Sequence, residues 1–448
     1  MVSREQFSSK FGFVMAAAGS AIGLGNIWGF PTQTASNGGA IFVLVYLAMA
    51  FTLAYPALMA ELIIGRHAKA NIFTALRGIS PNRFTRLFGG CVGIYGILTA
   101  SLILSFYGIV AGWVIAYLAE AVTNLLGWEQ SSRWFLEFSI TRNLITLSVF
   151  MVLTITIVAS GVTNGIEKWS TRLMPMLLVI LLALIAYVMT QDGAMEGLKV
   201  YLLPDISLIT PELILNALGQ AFFSLSLCVG TMLIYGSYVS SQENLPKLGA
   251  MVTLVDTGTA FIAGLLIIPA VYVAQTHGTA IFTADGSLIA GPDLIFQVLP
   301  SLFNSMGQVG LLVALAFFVL LLIASLTSSI SILEVPVSLT VEETALSRTQ
   351  ATWLLGTVIF LCSAVILLSF DTLFDVVVTL TTVYSQPLLG LMMCVFAGWF
   401  LHRNSLLQQI KAGNPDAENG FFWKIWPTYV KFICPLLILA TLTQSLRG

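Results

Sequence analysis

The chain has 448 residues, of which 57% are apolar and only 9% charged, against about 25% charged in an ordinary soluble protein. This excludes most soluble classes and leaves enough apolar residues for about eleven spans of about 20 residues, the helix length that crosses a hydrocarbon layer. A net charge of −2, with Lys and Arg scattered along the chain, offers no basic patch for a nucleic acid.

The N-terminus carries Arg4 and Lys10 ahead of FGFVMAAAGSA, a pattern shared with cleaved signal peptides. Here the apolar stretch runs on through IGLGNIWGF, so cleavage would halve a span, and the mature chain is expected to begin at or near Met1. Apolar stretches free of interior Lys or Arg give eleven spans, near 11–35, 39–63, 88–120, 143–160, 172–190, 213–238, 249–275, 306–340, 351–369, 375–400 and 428–446. With the N-terminus in the cytoplasm only Arg133, Arg142, Lys199 and Arg447 lie outside, and the other 15 of the 19 Lys and Arg residues lie inside. The positive-inside bias therefore favours a cytoplasmic N-terminus and an external C-terminus. The connection 276–305, rich in Gly and Pro, is long enough to fold over an external vestibule. Cys91, Cys228, Cys362, Cys394 and Cys434 read as small core residues and imply no disulfide framework.

The first span carries GSAIGLGN and the sixth SLSLCVG, both with small or polar residues at mid-span. Interrupted helices at matching places in two five-span halves suggest an inverted repeat around a binding site, where unwound backbone is satisfied by ligand. Taken alone, Gly19 and Gly23 also fit a GxxxG packing face. Three glycines in seven residues, followed by Asn26 and Pro31, favour the break. The domains expected are 1–200 (spans 1–5), 201–404 (spans 6–10), and 405–448, a cytoplasmic loop and the last span.

The spans hold Glu61, Asp256, Glu334 and Asp375, with Glu120 near an end, and no cation except the terminal Arg172. A carboxylate at mid-membrane costs at least about 2.5 kcal/mol and must be protonated, hydrogen-bonded, wetted or balanced by a cation. A transported cation accounts for all of them at once. Singly, each also fits a structural role, Glu61 as a cap on unwound backbone. Asp256 has no evident donor near it in sequence beyond Thr253, Thr257 and Thr259. Thr327 and Ser328, with carbonyls freed near Gly19 and Ile22, supply the neutral oxygens that suit a monovalent ion, unlike the multiple carboxylates of a divalent site. The same hydroxyls can instead bond back to their own helix. His67, His277 and His402 are scattered and form no metal motif.

The segments GSAIGLGNIWGFP, ELIIGR, GQAFFSLSLCVG and LTSSISILE, in this order and spacing, resemble the neurotransmitter:sodium symporter family, and most closely its bacterial amino-acid transporters. The resemblance covers essentially the whole chain. It implies an all-α polytopic fold of eleven transmembrane helices, a 5+5 inverted repeat with helices 1 and 6 unwound at the midplane. One Na+ is expected at the Ala21 carbonyl, Asn26, Ser224 and Asp256, and a second at the carbonyls of Gly19, Ile22 and Ala324 with the hydroxyls of Thr327 and Ser328. The substrate carboxylate would face the backbone N–H groups of Gly23 to Gly25 and the Tyr107 hydroxyl, with a half-helix N-terminus favouring its charge. Ser20, Ile103, Phe223, Ser226, Val229 and Ile332 would line the pocket beside Ala21 and Ser328, with Tyr107 and Phe223 as its lid. On the inner side Arg4 and Glu342 match a gate, packed by Phe7 and Tyr238; a solvated terminal pair is the plainer alternative.

Three departures qualify the resemblance. The family's outer-gate arginine is replaced by Gly29, leaving its expected partner Asp375 alone. Asp256 stands where some members carry a neutral amide, and Ala260 lacks the chloride-site hydroxyl, which implies chloride independence unless the register shifts to Val255. Val229 replaces an aromatic found in some members and leaves room for a larger substrate. Gly23 stands where monoamine carriers have an aspartate. The expected function is sodium-coupled symport of a neutral, apolar amino acid in a bacterial inner membrane, as a monomer or weak homodimer, without organic cofactor. A proton-coupled carrier, a carrier of an amine or other zwitterion, and a transport-silent receptor or channel are the alternatives. An enzyme is disfavoured because no span pairs a nucleophile with His.

Overall fold

A computed structural model describes residues 5–80, 82–227, 229–282, 289 and 293–445. Two helices open the chain, α1 (Lys10–Ala21) and α2 (Gly25–Ser36), bent by 57° at their break. Next come α3 (Ala40–Ala68), α4 (Arg83–Leu125), α5 (Ile140–Ala159) and α6 (Val162–Val188). A second broken pair follows, α7 (Pro211–Ser224) and α8 (Thr231–Ser237). The chain ends with α9 (Leu245–Thr276), α10 (Gly307–Glu343), α11 (Arg348–Leu368), α12 (Phe370–Phe400) and α13 (Phe421–Gln444). Among the described residues nine helices are long and apolar enough to cross a membrane, and the bent α1–α2 pair makes a tenth. The sixth expected span is split into pieces of 14 and 7 residues, each too short to cross alone.

Local chemistry sets the ends of these helices. Asn82 and Thr85 form a capping box at the start of α4, and Ser347 and Gln350 form one for α11. Thr210 caps α7 ahead of Pro211, and Asn244 caps α9 ahead of Pro246. Five of the seven π-helical turns among the described residues end two positions before a proline: Pro31, Pro56, Pro300, Pro387 and Pro435. In each the residue before the proline donates to the carbonyl five back, as Phe30 does to Gly25 and Tyr55 to Ala50. Proline has no N–H, and its ring crowds the carbonyl four back, so the helix widens by one residue.

In α4, 72% of the most apolar stretch is buried, against 22% in α13, so α4 belongs to the centre and α13 to the rim. Leu98, Val149, Leu182 and Leu361 are exposed, forming the apolar outside that a lipid-facing protein requires. The cysteines divide: Cys394 and Cys434 are buried, while Cys91 and Cys362 lie on the outside instead of in the core; Cys228 lies outside the described residues. The expected loop 276–305 resolves partly into a helix, Leu294–Ser305.

Helices α3 and α8 approach closely. A Cβ at Gly65 would stand 1.9 Å from the Leu233 carbonyl oxygen, which is backbone and cannot swing aside. Gly65→Ala is expected to overpack this contact by about 1–3 kcal/mol or more and to lower the unfolding temperature in detergent by several degrees. Gly78→Ala, where nothing lies within 4 Å, is expected to leave it unchanged or raise it, and equal midpoints for the two variants would contradict the packing described.

Candidate functional site

Both helix breaks meet at the centre of the molecule. In the first, the chain leaves helical geometry at Ile22, and Gly23 N–H donates back to the Ala21 carbonyl (2.9 Å). In the second, Ser226 takes φ +48° and Gly230 φ +86°, the left-handed region that few side-chain-bearing residues enter. The freed backbone is satisfied by side chains from other elements. Gln386 Nε2 of α12 donates to the Leu227 carbonyl (3.0 Å), and Leu233 N–H of α8 donates to Glu61 Oε2 of α3 (3.3 Å). Glu61 is thus a cap on the broken helix, the structural role foreseen for it.

Asp256 of α9 lies beside the first break with no exposed surface. Its donors come from distant sequence: Asn26 Nδ2 donates to Oδ1 (2.6 Å) and Ser224 Oγ to Oδ2 (2.9 Å). Asn26 Nδ2 also lies 3.0 Å from Ser224 Oγ, which is 3.1 Å from the Tyr46 hydroxyl. The nearby threonines play no part, since Thr253, Thr257 and Thr259 bond to carbonyls of their own helix. Asp256 enters no ion pair among the described residues, and Asn26 Oδ1 is buried without a hydrogen-bond partner. Three of the four residues assigned to the first ion are therefore in mutual contact. Ala21 supplies its carbonyl to the turn beside them.

The second set gathers where α1 ends against α10. Ser328 Oγ donates to the carbonyls of Gly19 (3.3 Å) and Ser20 (3.1 Å). Thr327 Oγ1 stays with its own helix, at 2.9 Å from the Ile323 carbonyl and 3.1 Å from that of Ala324. Thr327 thus bonds back to its own helix, while Ser328 reaches across to α1. A Cβ placed on Gly19 would lie 3.1 Å from Thr327 Cβ, so the two elements touch. Ile22 follows at the end of α1 and its N–H is held by Ala18. Ser226 Oγ donates to the Ser20 carbonyl (2.8 Å), and the hydroxyls of Ser20 and Ser331 are 2.7 Å apart.

Between the two sets lies the expected substrate position. The Tyr107 hydroxyl accepts from Leu24 N–H (3.2 Å). A Cβ on Gly23 would fall 2.6 Å from Ser328 Oγ and 3.0 Å from the Tyr107 hydroxyl, and one on Gly25 3.0 Å from the Phe223 ring. Gly23 therefore faces the polar groups assigned to the substrate carboxylate, and Gly25 faces the Phe223 ring. Ile103, Val229 and Ile332 are buried, whereas Phe223, expected in the lid, is 40% exposed.

The residues expected at the gates lie as follows. Arg4 lies outside the described residues, and Glu342 accepts from Asn71 N–H and Nδ2, both at 2.9 Å. An ion pair is also present: Arg348 donates to Glu334 at 2.5 and 3.2 Å while the Tyr238 hydroxyl donates to the same carboxylate (2.6 Å). Phe7 packs edge-on against Tyr235 and Tyr238. Glu334 is therefore paired with an arginine from between the expected spans and needs no transported cation to balance it. The sequence signal was Arg348 beyond the end of α10, which the chain turn brings back.

Asp375 is exposed, and its side chain has no hydrogen bond or ion pair among the described residues. It lies in the second turn of α12, which begins at Phe370, five residues before the expected start of the span. Beside Gly29 the gap is filled by Gln220, both of whose amide atoms lie 3.9 Å from a Cβ position on that glycine; Gln220 Nε2 donates to the Gly25 carbonyl (3.2 Å). Gln220 belongs to GQAFFSLSLCVG, but nothing in that motif assigned it a partner.

The sequence model of the sodium:neurotransmitter symporter family matches residues 4–144 and 138–447. A sodium-dependent transporter of Bacillus subtilis, YhdH, is 36% identical over 97% of this chain and 96% of its own. The structure of MhsT in complex with L-phenylalanine superposes with a TM-score of 0.84 at 36% identity, covering 99% of this chain and all of that one. The sodium- and chloride-dependent taurine transporter of Canis lupus familiaris is 29% identical over 72% of this chain and 58% of its own. A family-model match along nearly the full length, together with two relatives of this coverage, places the chain in the sodium:neurotransmitter symporter family, whose members are transporters.

Proposed function

We propose that this protein is a secondary active symporter in which an inward sodium gradient drives uptake of a neutral, apolar amino acid. The observation that carries the reading is the enclosed cluster of Asp256, Asn26 and Ser224, an anion with no cationic side chain and with one amide oxygen lacking a partner. Turning the Asn26 amide over brings Oδ1 toward the carboxylate. Two acceptors then face each other, and a cation between them satisfies both. The donors are oxygens from carboxylate, amide and hydroxyl, a set suited to a hard ion. The second ion rests on Gly19, Ile22, Ala324, Thr327 and Ser328, where only neutral oxygens are offered.

The substrate brings its own carboxylate. At Gly23 the space beyond Cα is closed by Ser328 Oγ and the Tyr107 hydroxyl, so no protein side chain can supply an acid there, which disfavours an amine as substrate. Ile103, Val229 and Ile332 offer an apolar wall for its side chain. The phenylalanine in the MhsT complex supports a bulky apolar substrate. Coupling follows when the first ion and the substrate carboxylate complete each other's coordination. Asp256 supplies a fixed negative charge beside the ions, so transport is read as independent of chloride, unlike that of the distant taurine carrier. Alternating access would use the two broken pairs as moving elements of an inverted repeat, with eleven spans and a cytoplasmic N-terminus. The Glu334–Arg348–Tyr238 lock would close the cytoplasmic side.

Asp256→Asn is expected to weaken sodium binding tenfold or more and to shrink the factor by which sodium and substrate raise each other's affinity, a factor that is the same in either direction. Equilibrium binding of each ligand at varied concentration of the other measures it, and an unchanged sodium requirement would contradict the assignment. Thr327→Val combined with Ser328→Ala is expected to abolish sodium-driven uptake in proteoliposomes; normal uptake would remove these hydroxyls from the ion path.

A further inference from the structure

We infer that Arg142 and Trp113 form a binding site for a small monovalent inorganic anion, separate from the two helix breaks. Arg142, in the first turn of α5, has no exposed surface. Its Nε donates to the Phe135 carbonyl (2.8 Å) and Nη1 to Asn143 Oδ1 (2.5 Å), while Nη2 is buried with no acceptor. The guanidinium lies over the Phe138 ring at 4.7 Å. On the same ring packs Trp113 of α4, with centroids 5.0 Å apart, and its indole Nε1 is likewise buried without an acceptor. Two orphaned N–H donors, one of them charged, thus flank a single aromatic side chain.

Among the described residues no carboxylate pairs with this cation. Glu120 of α4 accepts from Asn124 and Ser132, Glu129 pairs with Arg133, and Glu137 is exposed. Arg142 makes no ion pair among the described residues. Water could accept both hydrogen bonds, yet it would leave a full buried charge uncompensated, which is the costlier defect. An anion meets both needs, and the N-terminus of the 20-residue α5 adds a favourable field. The entry route is short, because Phe138 is 61% exposed and covers the guanidinium from outside. The enclosed setting favours a halide-sized ion over a large oxyanion. Trp113 also packs on Phe370 and Phe374 of α12, so the bound ion would brace α4, α5 and α12 together.

The test is thermal unfolding of the purified full-length protein as chloride replaces gluconate at constant ionic strength, run once with sodium and once with choline as the cation. A saturable upward shift of the midpoint is expected with either cation, since the site does not depend on sodium. Arg142→Gln is expected to abolish the shift. Trp113→Phe keeps the aromatic packing and removes one donor, so it is expected to raise the half-saturating chloride concentration about threefold or more. Should Arg142→Gln fail to fold, the wild type and Trp113→Phe decide the question alone. Equal wild-type midpoints in chloride and gluconate would overturn the proposal and leave water as the acceptor. A full chloride shift in Arg142→Gln, or an unchanged half-saturation in Trp113→Phe, would overturn it as well. Asp256→Asn is expected to retain the shift, which separates this site from the proposed coupling of sodium and substrate.

Discussion

A carboxylate held away from water with no cationic side chain beside it sets the terms for the centre of this protein. Asp256 is tolerated because Asn26 and Ser224 donate to its two oxygens, and each donor sits at a place where a helix has stopped. Asn26 lies just beyond the first break, and Ser224 ends the helix before the second. The breaks thus serve two purposes. They release backbone carbonyls and N–H groups toward the centre, and they aim two polar side chains at one anion. A continuous helix at either place would satisfy its own backbone and leave nothing to offer a ligand.

Unwound backbone inside a membrane protein is stable only if other groups complete its hydrogen bonds. Glu61, Gln386 and Ser226 do so here from three different elements. Their contacts cross between the broken pairs and their neighbours, so movement of one pair against its surroundings must exchange these bonds for others. The two ends of the molecule are secured unequally. One side carries the Glu334–Arg348–Tyr238 lock with Phe7 packed against it. The other has an exposed Asp375, a partly exposed Phe223 and, at Gly29, an amide from Gln220 in place of a long cationic side chain. This asymmetry fits a conformation closed on the Arg348 side.

Much of this was legible in the sequence because helix breaking and buried charge are local or compositional signals. The glycines before Asn26 marked the first break, and Asp256 stood out as an acid in an apolar run. What stayed hidden were partners supplied by tertiary folding. The hydroxyls nearest to Asp256 in sequence turned out to bond within their own helix, and the true donors came from more than 30 and 200 residues away. Arg348 was counted as a loop residue because it follows α10, yet its long side chain reaches back to Glu334. Asp375 was expected at the very start of a span, and the helix begins five residues earlier, at Phe370, which leaves Asp375 one turn inside the helix and exposed.

The account stands or falls on whether sodium and an amino acid are bound together at the two breaks. The most direct measurement is uptake of labelled phenylalanine, leucine and a charged control such as lysine into proteoliposomes, with an inward gradient of sodium or of choline at fixed pH. Concentrative uptake of an apolar amino acid in sodium alone is the predicted result. Equal uptake in choline, or accumulation of lysine in preference to the apolar substrates, would contradict it.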